Sequence, residues 1–302
     1  MGNLLHNKTL MLPVALIGGA LLHEWMGYLT FLSPYLIFAM LFITYCKLRP
    51  SDFRLASEEC LLLGVQMALS LGVYGALAWW NHTVAGGVFI CIFVPTATAA
   101  PVITSMLGGS ISKVAAYSLL CNLVVAAIGP LLLAWIGDAP GMTFGASFLK
   151  ILGQVAPLLL GPLAVAFFLR YVLPGVHSRI LGMQQMSFYL WAVALFIIVG
   201  SCVSFAIRQW RPENTLTMVW LCLGALGACL LQFVIGRRFG KAYGDPVSGG
   251  QSLMQKNTVL AVWLALAYMN PIASIAPAAY IAWQNIINSW QLMRQESAVK
   301  KI

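Results

Sequence analysis

The chain has 302 residues, of which 61% are hydrophobic and 8% charged, and its mean hydropathy is +0.87. A soluble domain carries about 25% charged residues, so this composition excludes an ordinary soluble domain and indicates a helical protein with the lipid bilayer as its partner. In a membrane protein the formal net charge of +9 reflects basic loops that set orientation, and no nucleic-acid partner is expected.

Ten apolar segments are long enough to cross a hydrocarbon core about 30 Å thick. We predict spans at 9–26, 29–46, 60–80, 84–107, 113–136, 149–172, 186–206, 216–236, 249–269 and 272–293. No convincing small-residue cleavage site follows the first segment, which we therefore interpret as a span and not as a signal peptide.

The distribution of lysine and arginine predicts the orientation of these spans. With the N-terminus inside, the inner segments hold Lys8, Lys47, Arg49, Arg54, Lys113, Arg170, Arg179, Arg237, Arg238, Lys241, Arg294, Lys300 and Lys301. The outer loops hold Lys150, Arg208 and Arg211. Because basic residues collect on the cytoplasmic side, both termini are predicted to be cytoplasmic.

Two of the predicted spans carry residues that interrupt helices. In span four, Pro95 and Pro101 each remove a backbone donor and obstruct helix continuation. In span nine, Gly249 and Gly250 lower helix propensity ahead of a polar cluster. That cluster comprises Ser252, Gln255, Lys256, Asn257 and Thr258. Unwound backbone at membrane depth is tolerated where protein or a wet cavity satisfies it.

The interrupted spans are the fourth members of two sets of five. Because five is odd, two such sets have opposite orientations in the membrane. Irregular segments at matching places in inverted halves are a sequence indicator of a transporter site. The predicted fold class is therefore an all-α membrane protein of ten transmembrane helices in two inverted five-helix repeats, with broken helices four and nine crossing at mid-membrane.

Lys256 is the basic residue that this span map cannot place at a membrane surface. A charge at such a depth costs a few kcal/mol and usually marks a substrate or ion path. The alternative is that its long stem lets the ammonium reach a surface. The sequence offers no recognisable catalytic residues, because all four histidines lie in loops or near span ends and no HExxH or GxSxG motif occurs. We predict that the chain is not an enzyme and has no cofactor.

Four parts of the sequence resemble the bile acid:sodium symporter (BASS) family. They are LRPSDF after span two, the P-x-x-T-A stretch Pro95–Ala99 with Gly108–Gly109 and Pro130, the Q-x-N-x-x-L-A stretch Gln255–Ala261, and Trp283 with Asn285. Their order and spacing identify the chain as a divergent, bacterial-type member. The resemblance implies an integral protein of a bacterial inner or plasma membrane that carries organic anions, such as bile salts or small carboxylates, by alternating access.

The resemblance also implies two domains within one transporter unit, 1–302. The panel domain would hold 9–46 and 149–206, and the core domain 60–136 and 216–293. By position in the family's motifs, Thr98, Asn257 and Asn285 would bind the substrate, and Gln66 would lie near a sodium site. No oligomeric state is predicted.

The departures from the family pattern concern sodium. Relatives carry a glutamate where this chain has Ser252, and usually a glutamine where it has Lys256. Sodium needs a cage of oxygens, yet all eight acidic residues map to loops or span ends. The preferred hypothesis is that Lys256 replaces the coupling cation, so sodium is doubted as a cofactor. One alternative is a sodium-coupled symporter with a reduced site from Gln66, Ser118, Ser252 and Gln255. Another is a non-transporting membrane sensor on the same scaffold.

Overall fold

The computed structural model describes residues 14–15, 17–47, 57–97, 100–137 and 143–299. This part of the chain is helical, with one isolated bridge and no strand. Within the described residues two 3-10 turns occur, Thr30–Leu32 and Pro271–Ser274. The α-helices are α1 (His23–Leu29), α2 (Ser33–Tyr45), α3 (Ser57–Ala78), α4 (His82–Phe93), α5 (Ala100–Met106), α6 (Ile111–Ile136), α7 (Phe144–Val172), α8 (Pro174–Gly182), α9 (Gln184–Gln209), α10 (Pro212–Ala242), α11 (Pro246–Met254), α12 (Thr258–Tyr268) and α13 (Ile275–Val299).

Five helical stretches of the described residues are long and apolar enough to cross a bilayer. They are His23–Tyr45, Ser57–Ala78, Ile111–Ile136, Phe144–Val172 and Pro212–Ala242. The all-helical, membrane-type architecture predicted from composition is therefore confirmed, whereas the ten-span inverted repeat stays a prediction.

The junction between the first two predicted spans differs from the sequence map. Residues 9–13 lie outside the described part of the chain, and His23–Tyr45 forms one helical stretch of 23 residues. The map placed a break at 27–28, but the irregularity is the 3-10 turn at Thr30–Leu32. Pro34 stands in the first turn of α2, where proline favours a helix start. Thr30 Oγ1 also donates to the Gly27 carbonyl at 3.0 Å. The two helices are therefore joined by this turn alone, without an intervening loop.

The predicted interruptions in spans four and nine are both present in the structure. Helix α4 has 12 residues and α12 has 11, so at 1.5 Å per residue they reach about 18 Å and 16 Å. Neither length crosses a hydrocarbon core of about 30 Å. The helix α4 is continued by α5 after a break, and α12 is preceded by α11 in the same way.

Close backbone packing positions the interrupted segments. Helix α11 lies directly against α10, because Gly249 has no side chain: a Cβ there would stand 2.3 Å from the Gly236 carbonyl oxygen and 2.7 Å from the Gly240 Cα. Helices α3, α6 and α13 contact the interrupted segments from other sides. The two breaks are thus enclosed by four helices that are continuous in the structure.

Candidate functional site at two interrupted helices

The backbones of the two interruptions pair with each other. Thr96 and Lys256 form an isolated antiparallel bridge. On either side of it, the Ala97 N–H donates to the Gln255 carbonyl and the Asn257 N–H donates to the Pro95 carbonyl, both at 2.9 Å. Backbone groups that the breaks release from helical hydrogen bonding therefore satisfy one another, as membrane depth requires.

Side chains reinforce this pairing. Thr96 is fully buried, and its Oγ1 donates to the Ser252 carbonyl at 2.7 Å. Ser118 of α6 donates from its Oγ to the Thr96 carbonyl at 3.2 Å. Hydroxyl groups thus occupy carbonyls that the breaks leave without helical partners.

Asn257 acts as the N-cap of α12. Its Oδ1 accepts from the Leu260 N–H at 3.2 Å, and the side chain is buried. The N-terminus of α12 therefore begins at the crossing of the two segments. Helix N-termini carry partial positive charge and favour anions. The expected substrate residue Asn257 lies at the crossing, while Thr98 lies outside the described residues.

Lys256 lies at the centre of the crossing and is 1% exposed. Its Nζ donates to the Val94 carbonyl at 3.1 Å, so the ammonium does not reach a membrane surface in this conformation. Val94 is the C-cap of α4, and a cation at a helix C-terminus is stabilised by the helix dipole. Two ion pairs occur among the described residues, Lys113–Glu58 and Arg211–Glu213. Lys256 takes part in neither of them.

Gln66 binds the same end of α4. Its Nε2 donates to the Phe93 carbonyl at 3.0 Å and to the Val94 carbonyl at 3.3 Å, while its Oε1 accepts from the Tyr117 hydroxyl at 2.5 Å. The Val94 oxygen thus receives hydrogen bonds from both Gln66 and Lys256. Carbonyls at such helix ends are the groups that coordinate sodium in transporters, but here nitrogen donors occupy them.

Ser118, Ser252 and Gln255, the other residues of the hypothetical reduced sodium site, also lie near the crossing. The Ser118 hydroxyl donates to a backbone carbonyl, and both Ser252 and Gln255 are 3% exposed. The Gln255 Nε2 has no hydrogen-bond partner within the described part of the chain. The structure gathers these three residues and Gln66 around the crossing but provides no carboxylate among them.

A cavity of ≈ 30 Å³ adjoins the crossing on the Ser252 side of α11. Tyr117 and Ser252 line its inner part, and Glu58 and Lys113 line its outer part, joined by a 2.7 Å ion pair. At roughly 10–15 Å³ for each water, such a volume holds about two waters, so an organic anion does not fit in this cavity. In this conformation the cavity is therefore too small to hold the proposed substrate.

Asp245 ties the two interrupted regions together near the outer end of this cavity. Its Oδ2 accepts from the Ser110 N–H at 3.1 Å, and its Oδ1 accepts from the Ser248 N–H at 2.9 Å. Burial raises the pKa of Asp245, but the hydrogen bonds from Ser248 and Ser110 outweigh burial and hold that pKa below its ordinary value. The loop after α5 and the start of α11 are thereby joined through one carboxylate.

The structure brings Gln284 to the crossing in the place expected for Asn285. Gln284 is 6% exposed, and its Oε1 accepts from the Lys256 N–H at 3.1 Å. Asn285 is half-buried, and its Nδ2 donates within α13 to the Ile281 carbonyl at 2.6 Å. The substrate role of Asn285 remains a hypothesis that its present contacts do not support.

A helical spacing of polar residues could have indicated Gln284. Tyr280, Gln284, Asn288 and Gln291 follow one another at intervals of four, four and three, which places them on one face of α13. The Tyr280 hydroxyl donates to the Met254 carbonyl at 2.8 Å, at the end of α11. The buried face of α13 therefore meets the second interruption through polar side chains.

Comparison with known proteins gives one informative similarity. No family model matches the chain. Over 224 residues the chain is 23% identical to a Bacillus subtilis (strain 168) protein named "Uncharacterized sodium-dependent transporter YocS". The aligned region covers 72% of this chain and 66% of that protein, which is slightly less than two thirds of its length. The chain is thus similar, at low identity, to a bacterial protein named as a transporter.

Proposed function

We propose that the chain is a secondary transporter that carries an organic anion, either a small carboxylate or a bile-acid-like molecule, by alternating access. The observation that carries this proposal is the crossing itself, where two interrupted helices pair around the buried ammonium of Lys256. A positively charged group and the N-terminus of α12 converge there, and both favour an anion. The similarity to a protein named as a transporter supports the proposal.

The proposed architecture has ten spans in two inverted sets of five. In this arrangement α4 with α5, and α11 with α12, each form one discontinuous span, and these two spans cross near mid-membrane. A panel domain of 9–46 and 149–206 moves against a core domain of 60–136 and 216–293. The basic residues orient both termini towards the cytoplasm of a bacterial cell.

Lys256 takes the place of the coupling cation in this proposal. Its ammonium binds the C-terminal end of α4, where sodium would otherwise bind carbonyl oxygens. With a lysine in this position the site already holds one positive charge, and a sodium ion beside it would be repelled. Transport is therefore expected to proceed without sodium.

A second candidate function is sodium-coupled symport through a reduced site, and the name of the Bacillus subtilis protein favours it. In that case Ser118, Ser252 and Gln255 would contribute oxygens together with backbone carbonyls. The structure lends this candidate less support, because Ser118 and Gln66 already donate to the carbonyls concerned.

Flux in proteoliposomes distinguishes the two candidates. Uptake of radiolabelled pyruvate and cholate, one small carboxylate and one bile acid, is measured with sodium and with choline as the external cation. We expect uptake to persist in choline and to be lost in Lys256→Gln, while the exposed Lys150→Gln serves as the matched control. Strict sodium dependence of the unaltered protein would favour the second candidate.

The double variant Lys256→Gln, Ser252→Glu tests the same reasoning in reverse. It restores the residues that sodium-coupled relatives have at these positions. We expect its uptake, in contrast to that of the unaltered protein, to require sodium. Full activity of Lys256→Gln alone would show that the ammonium is not needed.

A further inference from the structure

A column of buried amide side chains extends from the crossing along α13. Gln284, Asn288 and Gln291 are 6%, 5% and 8% exposed and stand on one helix face. Gln251 of α11 is fully buried, and its Nε2 donates to the Asn288 Oδ1 at 3.4 Å. Gln255 lies one turn beyond Gln251, at the end of α11. The proposed anion site beside Lys256 does not use the hydrogen bond between Gln251 and Asn288.

Four of these side chains have an amide atom with no hydrogen-bond partner among the described residues. The atoms are Gln251 Oε1, Gln255 Nε2, Asn288 Nδ2 and Gln291 Nε2. An unsatisfied buried polar group costs about 1–3 kcal/mol, so four in one column would be a large penalty if the column were dry. Buried groups of this kind are normally satisfied by internal water.

The unpaired atoms call for a ligand that can both donate and accept hydrogen bonds. In their present orientations three are amide nitrogens, which donate, and one is an oxygen, which accepts. Water is the ligand that accepts from the first kind and donates to the second. An apolar ligand would leave all four unsatisfied.

We propose that this amide column, formed by Gln251, Gln255, Gln284, Asn288 and Gln291, binds a file of internal water molecules. The seven helical steps from Gln284 to Gln291 rise about 10 Å along the helix. The file begins where Gln284 accepts from the Lys256 N–H and ends towards the C-terminal end of α13. It supplies water to the crossing by a route separate from the cavity, which lies on the Ser252 side of α11.

This hydration is independent of transport, and therefore its test does not require a substrate. Methionine oxidation by hydroxyl radicals generated from water on brief X-ray exposure reports water next to buried side chains. Met254 follows Gln251 by three residues on the same face of α11 and is 0% exposed. Met40 of α2 is 2% exposed and serves as the matched buried control in the same molecule.

We expect Met254 to be oxidised faster than Met40 in the unaltered protein, because water beside it generates radicals in place. In Gln251→Leu, Asn288→Leu the Met254 rate should fall to that of Met40, whereas Ser289→Leu, at an exposed position on the same helix as Asn288, should leave it unchanged. Equal rates for the two methionines in the unaltered protein would overturn the proposal. Undiminished Met254 oxidation in the folded double variant would also overturn it.

Discussion

Replacement of Lys256 by methionine separates the contribution of the ammonium to stability from its contribution to binding. Methionine keeps the length of the buried stem and removes the charge. The variant loses one hydrogen bond to the Val94 carbonyl, worth about 1.5–3 kcal/mol for a charged donor. That carbonyl retains its 3.3 Å hydrogen bond from Gln66, so no acceptor is left unpaired.

The lost hydrogen bond is offset by the removal of a buried charge. Insertion scales assign a lysine at the helix centre about 2.5–3.5 kcal/mol, and Lys256 is 1% exposed. The two magnitudes are similar. We therefore expect the free energy of unfolding of Lys256→Met to stay within about 1 kcal/mol of the unaltered protein, or to rise.

Binding of an anion should respond in the opposite way. Removing one member of a buried, hydrogen-bonded charge pair costs about 2–5 kcal/mol, and 1.4 kcal/mol corresponds to a factor of ten. The affinity for the anion should therefore fall by about 30-fold or more. A folded, equally stable variant that does not bind would assign the ammonium to the site.

The measurement combines thermal unfolding of purified protein in detergent with binding of pyruvate and cholate by titration calorimetry. Lys150→Met, at an exposed position on α7, is the matched control and should change neither quantity. The reasoning is refuted if Lys256→Met lowers the unfolding temperature while the affinity stays the same. Lys256 would then be a structural residue that holds the end of α4.

Three further predictions concern the framework of the site. Gln284→Ala should lower the free energy of unfolding more than Asn285→Ala, because it leaves the buried Lys256 N–H unpaired at a cost of about 1–3 kcal/mol; equal free energies in denaturant unfolding would contradict the placement of α13. Gly249→Ala should lower the unfolding temperature, since its Cβ meets the backbone of α10, whereas Gly227→Ala, with open space, should not; equal unfolding temperatures would disprove the close packing. Asp245→Ala should cost about 1 kcal/mol as a lost N-cap, measured by denaturant unfolding. The folded pKa of Asp245 is below its unfolded value, so this stabilisation is complete above about pH 4 and disappears as the pH falls through the folded pKa. A variant as stable as the unaltered protein at neutral pH would argue against a stabilising role for the Asp245 carboxylate.

Composition and local chemistry determined the class of this protein and the places where its helices break. A chain with 61% hydrophobic and 8% charged residues has to bury its surface in lipid, and its long apolar segments show this without any knowledge of tertiary contacts. The prolines of span four and the Gly–Gly pair of span nine act on their own neighbourhood, so their effect could be predicted locally. The depth of Lys256 followed from the same map.

Tertiary structure decided what each of these residues contacts. The partner of Lys256 proved to be the Val94 carbonyl, 162 positions away along the chain, and its backbone partner is Gln284. A shift of one residue on α13 turns the side chain by about 100° around the helix, so the choice between Gln284 and Asn285 depends on how that helix packs. The short helix α8 was not predicted, because span hydropathy does not resolve an amphipathic segment between two spans. Local sequence can show where a helix ends, but the groups that satisfy the broken end come from distant parts of the chain, and only the folded arrangement selects them.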